Sequence, residues 1–200
     1  MLRRLVDHFR PPRIRDRAAL RRFVSGEASY LAQRATYEFS RNTLAWYGQH
    51  AFADREFNAS FRVCRWESFA ALVEVFCVLV RSRLGEAPAG GDLDAAMVAA
   101  AESMLREYET PGHRSGWDDV TASLRARLAL LSPAAPPAPA ALGAEVADRV
   151  LPTLPVHSSN RKEDREVLAS AFAFGAIAFR DRMVARLDAG PVAADLLQAH

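Results

Sequence analysis

A single lysine, Lys162, stands among the 26 basic residues of this 200-residue chain; the others are arginine. We read that bias as genomic, so an arginine alone is no sign of a phosphate fork. Cysteine is nearly as scarce. Cys64 and Cys77 fall thirteen residues apart in one predicted helix, a separation of roughly 20 Å along the axis. Two Cα atoms can be bridged only within roughly 7 Å, which excludes an intrachain disulfide there. Two lone thiols fit a reducing compartment and predict a cytoplasmic protein. No apolar run approaches the roughly twenty residues a membrane span needs. The longest, Phe69 to Val80, is twelve residues with Glu74 inside it. The opening MLRRLVDHFRPP carries charge within its apolar stripe, unlike a secretory signal.

Other absences narrow the chemistry. The five histidines (8, 50, 113, 157 and 200) form no H-E-x-x-H, H-x-H or Glu-x-x-His pattern, and no C-x-x-C occurs. Zinc and carboxylate-bridged metal sites are therefore unsupported, and no cofactor is implied. There is no phosphate-binding glycine loop and no G-x-S-x-G elbow. His113, Ser115, Asp118 and Asp119 are triad-type residues, but neighbours in one loop rarely reach triad geometry. Ser115 reads more simply as a helix cap, with Asp118 supporting the first turn. Strand-like alternation and internal repeats are absent too.

What is present is helical. Half the residues are hydrophobic and a quarter charged, with both signs mixed, as in a soluble globule with a continuous core. Apolar periodicity predicts long helices over about 15–47 and 55–84. Shorter ones follow over about 92–108, 118–131 and 142–151, then a long one over 158–188 stopped by Gly190-Pro191. The fold class is all-α: an irregular bundle of about five to seven helices, with two long N-terminal helices and a long C-terminal one. Residues 1–22 read as a basic amphipathic N-terminal arm and 23–131 as the helical body. A Pro/Ala-rich linker over 132–141 leads to C-terminal helices over 142–200 that pack back on the body.

The arm is the clearest electrostatic feature. It carries +6 of formal charge against +2 for the whole chain, leaving −4 on the remainder. Leu2, Leu5 and Phe9 with Arg3 and Arg4 suit an anionic membrane surface, such as the inner membrane, or a partner's groove. Nucleic acid is disfavoured, because the body is acidic and no recognition helix stands out.

On the first long helix, Phe23, Tyr30, Tyr37 and Leu44 recur at seven-residue spacing, with Glu27, Arg34 and Arg41 on the neighbouring face. Such a stripe is either core or a surface that meets a flat or anionic partner through stacking and donors. Glu67, Glu74 and Arg81 share the same spacing within the apolar second helix. A carboxylate there is expected to be paired or to have a raised pKa. An unpaired Glu74 would be a candidate general acid or metal ligand, but pairing with Arg34 or Arg41 is the expected outcome. The aromatic wealth of Phe39, Trp46, Phe57, Phe61, Trp66, Phe69, Phe76, Phe172, Phe174 and Phe179 admits a second reading, a bundle enclosing a lipid-like or isoprenoid ligand.

The run Ala28-Ser29-Tyr30-Leu31-Ala32-Gln33, continuing through Tyr37, resembles the opening of an uncharacterised family of small all-helical alphaproteobacterial proteins. Residues 52–84 and 163–187 match its later elements. Some members carry an esterase label, which the missing nucleophile elbow does not support here. The resemblance implies helices and no active site. The sequence as a whole leans to a non-catalytic interaction or assembly protein with a protein partner. Its candidate binding residues are Tyr30, Arg34, Tyr37, Arg41, Glu67 and Glu74.

Overall fold

A computed structural model describes residues 12–43, 50, 52–85, 91–132, 137–155 and 161–198, with backbone alone at 40–43 and 161–163. Among the described residues there are seven α-helices and no strand, so the all-α class holds. They are α1 (Arg17–Thr43), α2 (Arg55–Leu84), α3 (Leu93–Leu105), α4 (Asp118–Ala129), α5 (Pro139–Val150), α6 (Arg161–Arg186) and α7 (Ala189–Leu197). A short 3-10 turn, Leu151–Thr153, follows α5. No helix among them is long and apolar enough to cross a membrane.

Aspartates set the helix starts. Asp16 accepts from Ala19 N (2.7 Å), Asp54 from Phe57 N (2.7 Å), and Asp92 from Asp94 N and Ala95 N (3.0 and 2.9 Å). Each satisfies a first-turn N–H that has no partner within the helix. The expected cap Ser115 does not act so: α4 begins at Asp118 with Trp117 in the cap position and no side-chain cap bond. At the other end of α2, Gly85 takes φ 74°, a conformation open to glycine and costly elsewhere.

Helix α2 is the centre. Every residue from Glu67 to Val80 is buried, which requires neighbours on all sides. Helices α1, α4, α5 and α3 supply them, while α5 pairs with α6 over its whole length. That pairing depends on Gly143. A Cβ there would stand 2.5 Å from Ala173 N and 2.7 Å from Ala169 O, so the helices meet backbone to side-chain-free backbone. Phe179 of α6 lies flat on Phe76 of α2 (centroids 3.8 Å, planes 3° apart) and stacks on Phe23 of α1 at 5.2 Å. These rings lock three helices together.

Two boundaries differ from expectation. Helix α5 starts at Pro139, inside the stretch read as linker, because proline's fixed φ and missing N–H suit a first turn. At the far end α6 stops at Arg186, and Gly190-Pro191 lie within the first turn of α7. The reason is a crossing segment. Ile14 donates its N–H to Arg186 O (2.9 Å) and accepts from Asp188 N (3.0 Å), forming an isolated parallel bridge with Leu187. Arg13 and Arg15 both pair with Asp188 (3.3 and 2.7 Å), and Arg17 N donates to Asp195 (2.7 Å). The basic arm is thus divided: residues 12–22 are tied into the body, and Leu2, Arg3, Arg4, Leu5 and Phe9 lie outside the described residues.

Candidate functional site

Three sets of polar residues can be compared by what satisfies them. The first is the pair of buried carboxylates on α2. Glu74, 3% exposed, accepts from Ser123 Oγ (2.7 Å), pairs with Arg127 Nε (2.7 Å) and with Arg149 NH1 (3.0 Å). One heptad away, Glu67 receives Arg114 through both oxygens (2.6 and 2.8 Å) and His113 Nε2 at 2.9 Å. Arg114 also forks onto Asp119 (2.8 and 3.1 Å), and Arg127 reaches Glu145 (2.5 Å). Helices α4 and α5 and the loop before α4 therefore supply the cations. The expected partners Arg34 and Arg41 do not: Arg34 binds Glu38 instead (3.1 Å), and the side chain of Arg41 lies outside the described residues.

Electrostatics favour the charged forms of Glu67, Asp119 and Arg114. Burial pushes the Glu67 carboxyl up, but hydrogen bonds from Arg114 and His113, with the charges of Arg114 and Arg149, outweigh it and leave it below its usual value. The Arg114 hydrogen bond likewise holds Asp119 low, and Glu67 raises the guanidinium of Arg114. His113 is held by Glu67 and makes no hydrogen bond to the exposed Ser115, so the loop forms no triad. Among the described residues no three His, Cys, Asp or Glu side chains converge as for a metal ion.

The second set is the outer face of α1. Tyr30 and Tyr37 are 57% and 49% exposed, whereas Phe23 is buried. The seven-residue series leaves the core after Phe23. The buried line of α1 instead follows Leu20, Val24, Ala28, Ala32, Ala35 and Phe39. Arg34 NH1 donates to Tyr30 Oη (3.0 Å), which with Glu38 raises the pKa of Arg34. Two surface grooves flank this face. One of about 470 Å³ runs towards α6 past Leu31, Phe174 and Arg182; the other, about 440 Å³, runs towards α2 past Phe61 and Arg65. Phe174, one of the aromatics expected inside, is 73% exposed beside the first groove. Of the others, Phe57–Phe61, Trp66–Phe69 and Phe76–Phe179 form ring pairs, Phe39 and Phe172 are buried, and Trp46 lies outside the described residues. Glu74 faces arginines.

The structure thus separates the candidate residues. Tyr30, Arg34 and Tyr37 share one surface, while Glu67 and Glu74 belong to the network facing α4 and α5. A third set escaped the sequence reading: Arg62 and Arg65 of α2, with Trp66, Phe69, Gln33 and Tyr108, around a cavity of about 280 Å³. Their i, i+3 spacing on a helix was the available signal. No family model, curated protein or solved structure matches the chain.

Proposed function

We propose that the protein is a non-catalytic binding protein that meets a protein partner through the outer face of α1. One observation carries this reading. The polar groups facing α4 and α5 are mutually satisfied, whereas on the α1 face Tyr30, Tyr37 and Phe174 stand exposed beside Arg34 and two grooves. Side chains this exposed bury little for the fold, although Tyr37 also packs on Phe52 at 5.5 Å. Tyrosine and arginine are also the residue types that concentrate binding energy at protein interfaces.

The test is site-specific photocrosslinking in the host cell. A photoreactive phenylalanine analogue at Tyr30 or Phe174 should yield one discrete adduct that weakens with Arg34→Ala. The same analogue at Leu130, 87% exposed at the end of α4, should yield none. Equal adducts at all three positions, or none at Tyr30 and Phe174, would contradict the reading.

A further inference from the structure

The cavity between α1, α2 and the segment after α3 is lined by two arginines and by no carboxylate. Its walls are Ser29, Ala32 and Gln33 from α1, Arg62, Arg65, Trp66 and Phe69 from α2, and Tyr108. No aspartate or glutamate lines it. Arg114, Arg127 and Arg149 each hold carboxylates, but neither Arg62 nor Arg65 has an ion-pair partner among the described residues. Arg62 Nε finds only the carbonyl of Asn58, at 3.3 Å. Arg65 Nε is buried and without any hydrogen-bond partner among them. A buried N–H of a guanidinium left unbonded is costly, and two like charges at i, i+3 repel. One bound anion offsets the repulsion between the two guanidinium groups; the shielded Arg65 Nε lies out of its reach.

The rest of the cavity describes the anion's body. Trp66, Phe69 and Tyr108 form a wall of mutually edge-on rings, with centroids 5.6–5.9 Å apart. Tyr108 Oη lies 3.4 Å from Ser25 Oγ, which fixes the ring, and Gln33 Nε2 donates to Ser29 Oγ (3.1 Å), leaving the serine proton free to donate. The volume of about 280 Å³ equals about nine waters at roughly 30 Å³ each, the size of a ligand of about ten non-hydrogen atoms. A flat ring offers its faces and edges to the aromatic wall, and a planar carboxylate matches the guanidinium fork.

We infer that this cavity is a binding site for a small aromatic monocarboxylate, with Arg65 and Arg62 as the anion-binding residues and Trp66, Phe69 and Tyr108 holding the ring. The site is distinct from the partner surface proposed for α1, although Gln33 and Arg65 border both.

The experiment is an NMR titration of the ¹⁵N-labelled full chain with sodium benzoate, benzamide and inorganic phosphate at constant ionic strength, read at the Trp66 indole. Benzoate should bind saturably with a dissociation constant of about 1 mM or tighter, as its size allows at modest efficiency per atom. Benzamide, which lacks the charge, and phosphate, which lacks the ring, should each bind at least about tenfold more weakly. Arg65→Gln should weaken benzoate by about tenfold or more, the usual loss for a charged hydrogen bond. Arg62 is exposed, so Arg62→Gln will fold and should also weaken it, which keeps the test decisive if Arg65→Gln does not fold. Equal binding of benzamide shows a site that reads only the ring, and equal binding of phosphate shows one that reads only charge. Either result, an absence of saturation by benzoate, or indifference to Arg62→Gln overturns the assignment.

Discussion

Replacing Glu74 by glutamine separates a structural carboxylate from a functional one. The amide keeps the volume and can still accept from Ser123, but it withdraws the negative charge from Arg127 and Arg149, which lie 2.7 and 3.0 Å away. Removing one partner of a fully buried pair costs about 3–5 kcal/mol. Here the arginines are 32% and 27% exposed, and Arg127 keeps Glu145, so water and that second carboxylate absorb part of the loss. The expected destabilisation is about 2–3 kcal/mol, read as a fall of about 1 M in the urea midpoint for a domain of this size. Adding Arg149→Met should recover part of it, because the unpaired cation is then gone. A change under about 0.5 kcal/mol would place these pairs among weak surface contacts and refute the reasoning. So would a double mutant whose losses simply add.

Three further predictions concern the same frame. Gly143→Ala should cost about 1–3 kcal/mol in urea unfolding, since the new methyl meets the backbone of Ala169 and Ala173, which cannot turn aside; a neutral result would mean that α5 and α6 are not so close. Glu67 and Asp119 are held below their ordinary values, so their contribution is complete above about pH 5 and is lost as pH falls below about 4 through the lowered native values. The urea midpoint should drop from pH 4 to pH 3, less so in Glu67→Gln, and a flat profile would contradict this. Burial pushes the Cys64 thiol up to about 11 and Cys77 to about 12. Both should resist a thiol-reactive dye at pH 8 until denaturant is added, and fast labelling of the native protein would count against the core as described.

Much of this architecture is legible before any coordinates. The run from Phe69 to Val80 is apolar on every face, and only a central helix can bury such a surface. Asp92 announces a helix start by its side chain, whereas the cap at Asp54 emerges only in the structure. The need of Glu67 and Glu74 for cations was equally plain, because an unpaired carboxylate is not stable in that setting. Which cations answer it was not. Arg114, Arg127 and Arg149 reach α2 from elements 40 or more residues away, and nothing local distinguishes them from Arg34. Seven-residue spacing left Tyr30 and Tyr37 open between core and surface, and both are exposed because the buried line of α1 runs through Val24, Ala28, Ala32 and Ala35 instead. The contact at Gly143 and the bridge of Ile14 to Leu187 depend on how distant segments meet, and periodicity within a segment carries no trace of that.

The central claim is that the outer face of α1 serves recognition, not the fold. The most direct measurement is urea unfolding of the triple variant Tyr30→Ser, Arg34→Gln, Tyr37→Ser. Exposed positions of this kind cost little, so the account predicts a loss within about 1 kcal/mol. A loss as large as that of Glu74→Gln would show that the face holds the bundle together, and would contradict the claim.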